Sequence, residues 1–328
     1  MGKKIWCQWA QRVSLATAFT LLAACGSSSK YDEFIPTRII SAGDQLSYLG
    51  NGTLTPAYSD RFTVNNLAGG TTTNNWVLQL AASYGLSTDL SAANPAVVGT
   101  ADPVSNKVSN LEARIATVTP RSGDMLVVNG GMADIIALAE AVATGAKTSA
   151  QALSEIATAG SDLQAILLRQ LSHYKNILVI NAYDLKESPY ARTRDLTAAS
   201  PAISQSSFQQ LLHDMTRAFN TALIRNAGTF TSGSGIRLFD AETLFLNANL
   251  YNVGITASGL STGTCASFAT STGTDNNSSR VACTTSAAAL VNTSYDTNLY
   301  ADTKFPTPAA HRFLGSQAYA FLRSVKGW

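Results

Sequence analysis

Four short apolar runs in the chain have the pattern of buried strands. They are rich in Ile, Val and Leu, and the first three show no strict alternation of apolar and polar positions. That pattern is expected where both faces of a parallel sheet are covered. The four predicted strands are Arg38 to Ala42, Met125 to Asn129, Asn176 to Asn181, and Ile236 to Phe239.

The segments between these runs repeat apolar residues with the period of a helix. Strands that alternate with helices of this length predict the α/β class, as a three-layer α/β/α sandwich around a parallel sheet. No repeat, charge run or Pro-rich linker divides residues 37 to 328, so we predict one domain there. The predicted helices are Asn75 to Tyr84, Met132 to Thr144, Ser149 to Tyr174, Ser206 to Asn226, and Pro308 to Val325.

The segments that follow the predicted strands are where chemistry is expected. In open parallel sheets, ligands bind in loops at the carboxyl ends of the strands. This directs attention to residues 43–52, 130–134 and 184–190, and to the segment before the last predicted helix.

The first 25 residues have the pattern of a bacterial lipoprotein signal. Lys3, Lys4 and Arg12 precede a short apolar stretch that ends in Leu-Ala-Ala-Cys at Cys25. The stretch is too short to stay as a membrane-spanning helix. We predict that residues 1–24 are removed, that Cys25 is acylated, and that residues 25–36 form a flexible tether. An ordinary secretory signal with an incidental cysteine is the alternative.

Export and charge limit the partners of the mature chain. The signal carries three of the 23 basic residues and no acidic one, which leaves 20 Lys and Arg against 21 Asp and Glu. This balance gives no reason to expect a nucleic-acid partner. We expect attachment to a membrane through Cys25, in the bacterial cell envelope. Gly26, rather than an aspartate, follows the cysteine, which resembles the pattern sorted to the outer membrane.

Two cysteines remain in the body of an exported chain. Cys7 is lost with the signal and Cys25 is acylated, so Cys265 and Cys283 are predicted to form a disulfide. Two reduced thiols in a loop are the alternative. Two sulfur ligands without a nearby histidine do not indicate a metal site, and no cofactor is predicted.

Four blocks of the body resemble the SGNH (GDSL) ester hydrolases. Ser41 to Gly50 resembles the family's GDSL block after its first strand, and Val127 to Asp134 resembles its Gly-x-Asn-Asp block. Tyr300 to His311 resembles its closing Asp-x-x-His-Pro-Thr block. Leu163 to Leu185 resembles the subgroup with autotransporter esterases and GDSL lipases. The resemblance extends from about residue 37 to the C-terminus and implies the SGNH fold, in agreement with the predicted sandwich.

The residues that carry the family's reaction differ at three positions. Gln45 stands where the family has its nucleophilic serine, and a carboxamide has no hydroxyl to activate. Ala133 stands where the family has an asparagine that donates to the oxyanion, and loss of such a donor costs about a hundredfold or more. Phe305 stands where the family has its general-base histidine. Asp302 retains the acid, and Gly99 is the candidate for the oxyanion glycine.

Substitute residues are few. Ser47 and His311 are the candidates for a displaced nucleophile and base, although we interpret Ser47 as structural. His173 and His213 lie in predicted amphipathic helices, where a solvated or packed role is expected.

The acidic residues of the blocks have two interpretations. Asp44, Asp134 and Asp302 could supply paired carboxylates for glycoside hydrolysis. The favoured interpretation is that Asp44 and Asp134 stabilise their loops by accepting backbone N–H groups.

These observations predict an envelope lipoprotein whose SGNH-like domain does not catalyse the family's reaction. A cleft would bind an acyl, glycan or protein ligand. Two alternatives stay open: an active ester hydrolase that uses Ser47 and His311, and a structural or assembly factor of the envelope. The residues predicted to line the cleft are Asp44, Gln45, Asp134, Asp302 and Phe305.

Overall fold

The computed structural model describes most of the body of the chain. The predicted signal, Cys25 and most of the predicted tether lie outside the described residues. Ile35–Ser324 form one compact unit. The described residues are 33–52, 60–67, 73–104, 106–194, 196, 203–231, 233–247, 264–265, 283–286, 290, 295, 297–325 and 328.

Five short parallel strands make the central sheet. The three innermost strands are almost completely buried, which explains why their sequences are continuously apolar rather than alternating. The strands are β1 (Arg38–Ala42), β2 (Val97–Gly99), β3 (Asp124–Asn129), β4 (Asn176–Ile180) and β5 (Ile236–Phe239).

The strand order is β2-β1-β3-β4-β5. The chain therefore builds the sheet outward from β1 in both directions, and the order reverses between β1 and β3. Ile40 lies beside Leu126 and Ala42 beside Val128, so the two strands end at the same edge. Such a reversal point is where open α/β sheets form a crevice for ligands.

Helices cover both sides of the sheet. Many begin at a polar cap: the Thr148 hydroxyl accepts from Gln151 N, and the Gln151 side chain accepts in return from the backbone N–H of Thr148. The helices are α1 (Trp76–Ser83), α2 (Leu111–Ile115), α3 (Met132–Ala143), α4 (Ser149–Gln170), α5 (Pro189–Thr193), α6 (Gln205–Leu223), α7 (Ala241–Leu246) and α8 (Pro308–Ser324).

Helices α1 and α8 pack against each other at unusually short range. A Cβ atom at Gly315 of α8 would lie 2.4 Å from the backbone oxygen of Trp76, so only glycine permits this approach. The close packing brings His311 at the start of α8 next to the start of α1. These two helix starts contribute to the candidate site described below.

The α/β class and the four predicted strands are confirmed, and so are the five predicted helices. The structure adds the edge strand β2 and the short helices α2, α5 and α7. Segments of three to six residues are too short to display a helical or strand period, which is why the sequence pattern missed them.

A disulfide joins Cys265 and Cys283, as predicted, with 5.5 Å between their Cα atoms. The two cysteines are buried in a small cluster with Val64, Leu290 and Ala301. Within the described residues, no helix is both long enough and apolar enough to cross a membrane.

Candidate functional site

The candidate site lies at the reversal point of the sheet, where β1 and β3 end side by side. The loop after β1 runs through Gly43 and Asp44 into a 3-10 turn, Gln45–Ser47. The loop after β3 runs from Asn129 through Gly131 into α3. The segment before α8 supplies a third wall.

Gly43 lets the two loops meet. Its φ is 155°, and a Cβ atom there would lie 1.9 Å from the side-chain oxygen of Asn129. No residue with a side chain fits that space, which explains the glycine at the start of the block.

Asp44 holds the loops together from the inside. Its side chain is fully buried and accepts from the backbone N–H groups of Leu46 at 3.1 Å and Met132 at 3.2 Å. The side-chain amide of Asn129 donates a third hydrogen bond. Burial raises the pKa of Asp44, while these donors and the nearby Arg114 act in the opposite direction. The contacts fit the loop-stabilising interpretation of this acid.

Gln45, at the position of the family's serine, is 2% exposed. Its side-chain oxygen Oε1 is buried and has no hydrogen-bond partner within the described part of the chain. An unsatisfied buried acceptor costs about 1–3 kcal/mol, so such groups in folded proteins require an explanation. The site thus offers one acceptor that its own residues leave unused.

Ser47 is tied into a polar network instead of facing a base. It is completely buried, its hydroxyl donates to Asn129 Oδ1, and it accepts from the indole N–H of Trp76 at 3.1 Å. Asn129 in turn donates to Asp44. The serine therefore belongs to the scaffold under the loop.

His311 is engaged by backbone groups on both sides. Its Nδ1 accepts from the backbone N–H of Trp76 at 3.1 Å, and the imidazole also bonds the backbone of Phe62. Burial lowers the pKa of His311 to about 3. Both Ser47 and His311 contact Trp76, but no hydrogen bond joins them to each other among the described residues. The geometry does not form a serine–histidine pair.

Asp302 and Phe305 form the wall before α8. Asp302 Oδ1 accepts from the backbone N–H groups of Lys304 and Phe305, both at 2.7 Å. Burial raises the pKa of Asp302. The Phe305 ring is completely buried against Phe62, with 5.0 Å between ring centroids, and Phe62 also contacts Tyr48. The position of the family's base is thus part of an aromatic cluster.

The remaining predicted site residues lie at the margins. Asp134 Oδ2 accepts from Val108 N at 3.1 Å, and burial raises the pKa of Asp134 to about 6. Ala133 is buried in the first turn of α3, where it offers no donor. Gly99 ends the edge strand β2, beside Ser41 of β1.

The structure brings Asp44, Gln45 and the Asn129 loop together, while Asp134, Asp302 and Phe305 each bond or pack with other partners. Asn129 and Trp76, which connect the site, were missed by sequence reasoning. A polar residue at the end of an apolar strand was the available signal for Asn129. Among the described residues, no group of three His, Cys, Asp or Glu could hold a metal ion.

Comparison with known proteins gives a likeness to two solved structures. No family model and no curated protein matches the chain. Phospholipase A1 from Streptomyces albidoflavus NA297 superposes with a TM-score of 0.46 and 14% identity, over 88% of this chain and 99% of that one. An extracellular lipase from Streptomyces rimosus gives 0.46 and 16%, over the same shares. At these values the likeness carries no conclusion about the site or the activity.

Proposed function

We propose that this protein is an envelope lipoprotein whose body binds a ligand at the β1–β3 edge without catalysing ester hydrolysis there. The body has the α/β architecture expected of an SGNH-like domain, and the sequence blocks that resemble that family lie at this edge. The observation that carries the proposal is Gln45, which replaces the nucleophile and leaves a buried acceptor unused.

The unused acceptor favours a particular ligand chemistry. Gln45 Oε1 can only accept a hydrogen bond, so it requires a ligand that donates one. An acyl chain has no donor, whereas a glycan presents many hydroxyl groups. We therefore propose a glycan ligand, and a protein ligand that offers an N–H group is the second outcome to be tested.

The surroundings of Gln45 support binding without reaction. A serine hydrolase needs a hydroxyl, a base within hydrogen-bond reach and an acid that orients the base. Ser47 bonds Asn129 and Trp76, and the Phe305 side chain cannot accept a proton. Asp302 is occupied by backbone N–H groups instead of an imidazole.

Binding to an array of bacterial glycans tests the ligand class. The soluble body, residues 37–328, should bind at least one glycan, and Gln45→Ala should weaken that binding about tenfold because one desolvated hydrogen bond is lost. Gln210→Ala is the matched control, since Gln210 is exposed on α6 and bonds only Asp214. Absence of glycan binding, or equal affinities for wild type and Gln45→Ala, would contradict the proposal, and binding to envelope protein instead would select the second ligand class.

The lipid anchor is tested separately. Full-length protein expressed in a bacterium that acylates lipoproteins should incorporate labelled palmitate and partition into the detergent phase. Cys25→Ala should lose both properties, because the thiol is the acylation site. Incorporation that persists in Cys25→Ala would rule out the anchor.

A further inference from the structure

His213 and Asp184 form a hydrogen-bonded pair outside the site described above. His213 Nδ1, on α6, lies 2.5 Å from Oδ2 of Asp184 in the loop after β4. The other carboxylate oxygen accepts from the backbone N–H of Lys186 at 2.8 Å, and the Asp184 side chain is only 1% exposed. A carboxylate accepts, so Nδ1 is the donor, and the lone pair of the imidazole is left on Nε2.

The other face of this imidazole is accessible. The His213 side chain is 24% exposed, and its Nε2 has no hydrogen-bond partner within the described part of the chain. His311 is buried and bonded to backbone groups, and His173 is exposed without an acid beside it. Of the three histidines, His213 alone combines an orienting carboxylate with an open nitrogen, although the sequence pattern predicted only a packed or solvated role.

The pair lies at the edge of the sheet where chemistry is expected. Asp184 follows β4, and its loop is fastened to the segment before α8: the Tyr183 hydroxyl donates to Lys304 O at 2.8 Å, and Tyr190 N donates to Thr303 O at 2.9 Å. Loops at the carboxyl ends of strands hold the functional groups of such sheets. The position and the geometry are both those of a histidine base held by an acid.

We propose that His213 is a general base that activates water for the hydrolysis of small acyl esters, with Asp184 as its positioning residue. Water attacks the ester carbonyl carbon as its proton passes to His213 Nε2. The new C–O bond forms, the bond from carbon to the alcohol oxygen breaks, and Nε2 returns the proton to that oxygen. The products are one carboxylic acid and one alcohol, and the imidazole is regenerated. This reaction needs no serine and is independent of Gln45.

Hydrolysis of p-nitrophenyl acetate by the soluble body, residues 37–328, tests the proposal. The protein should exceed its heat-denatured form, and His213→Gln should lower kcat/KM at least about tenfold, the lower end of what a general base contributes. Asp184→Asn should lower it as well without a matching loss of folded protein. His173→Gln is the matched control and should stay within about twofold of wild type, because His173 has no orienting acid.

A chemical readout keeps the test independent of folding. Diethyl pyrocarbonate should modify His213 of the wild-type protein faster than His173, and the loss of ester turnover should follow modification of His213. Turnover no greater than that of denatured protein, or turnover that survives in folded His213→Gln, would overturn the proposal. A pair that merely fixes α6 to the loop would change the unfolding temperature in Asp184→Asn but leave the turnover intact, which would also overturn it.

Discussion

At the scale of single residues, the loop after β1 is shaped by side chains that share very little space. Asp44 accepts three hydrogen bonds in a fully buried position, and Ser47 and Asn129 bond each other directly beneath the loop. Each of these contacts depends on the backbone of Gly43 passing against Asn129. The loop therefore tolerates change at Gly43 poorly.

Gly43→Ala should lower the free energy of unfolding by about 3 kcal/mol, because the new Cβ would overlap Asn129 and the positive φ adds strain. Gly85→Ala is the control. Gly85 also has a positive φ, of 74°, but nothing lies within 4 Å of the place that a Cβ atom would take, so it should lose only about 1 kcal/mol. Urea unfolding of both variants measures the difference, and equal losses would show that the Asn129 contact does not shape the loop.

Asp134 should make stability depend on pH. Burial raises its pKa from 3.8 to about 6, so the folded state holds the proton more tightly than the unfolded state does. This contribution to stability is complete below pH 3.8 and is lost as the pH rises through 6. Asp134→Asn keeps the acceptor for Val108 N but removes the titration. Its stability relative to wild type should rise by about 2 kcal/mol between pH 4 and pH 7, and a constant difference over that range would contradict the assignment.

At the scale of elements, the disulfide joins two segments that support the wall before α8. Cys265 N donates to Ala301 O at 2.8 Å, and Asn65 N donates to Cys283 O at 2.8 Å. Ala301 N in turn donates to Phe305 O at 2.8 Å. The disulfide thereby links the neighbours of Asn65 and Ala301, and Ala301 in turn holds the backbone of Phe305.

Replacing both cysteines, as Cys265→Ser with Cys283→Ser, should lower the free energy of unfolding by about 3 kcal/mol, since the loop that the bridge closes regains its freedom in the unfolded chain. Hydrogen exchange should also accelerate at the amides of Asn65, Ala301 and Phe305. The amides of Val127 and Val179, in the sheet, serve as internal controls. Unchanged protection at Ala301 and Phe305 would mean that the disulfide does not support this wall.

At the scale of the whole molecule, the sheet could be predicted from the sequence because each inner strand is a continuous apolar run between helical patterns. The α/β class follows from that alternation. The edge strand Val97–Gly99 could not be predicted, because three residues show no period.

The site was only partly predictable. Its loops follow the strands, so Asp44 and Gln45 could be placed at the carboxyl edge from the sequence. The network beneath them joins Ser47 to Trp76, 29 residues away, and Trp76 to His311, 235 residues away. Contacts over such distances depend on how helices pack, which no local pattern encodes. The pairing of His213 with Asp184 was missed for the same reason.

The central claim is that the β1–β3 edge retains the architecture of an ester hydrolase site but lacks its reaction. A fluorophosphonate probe tests it most directly, because it labels serines that a neighbouring base activates. We expect no labelled serine in the wild-type protein, and label on the peptide that carries position 45 in the variant that combines Gln45→Ser, Ala133→Asn and Phe305→His. Labelling of a wild-type serine, or a folded triple variant that stays unlabelled, would contradict the account.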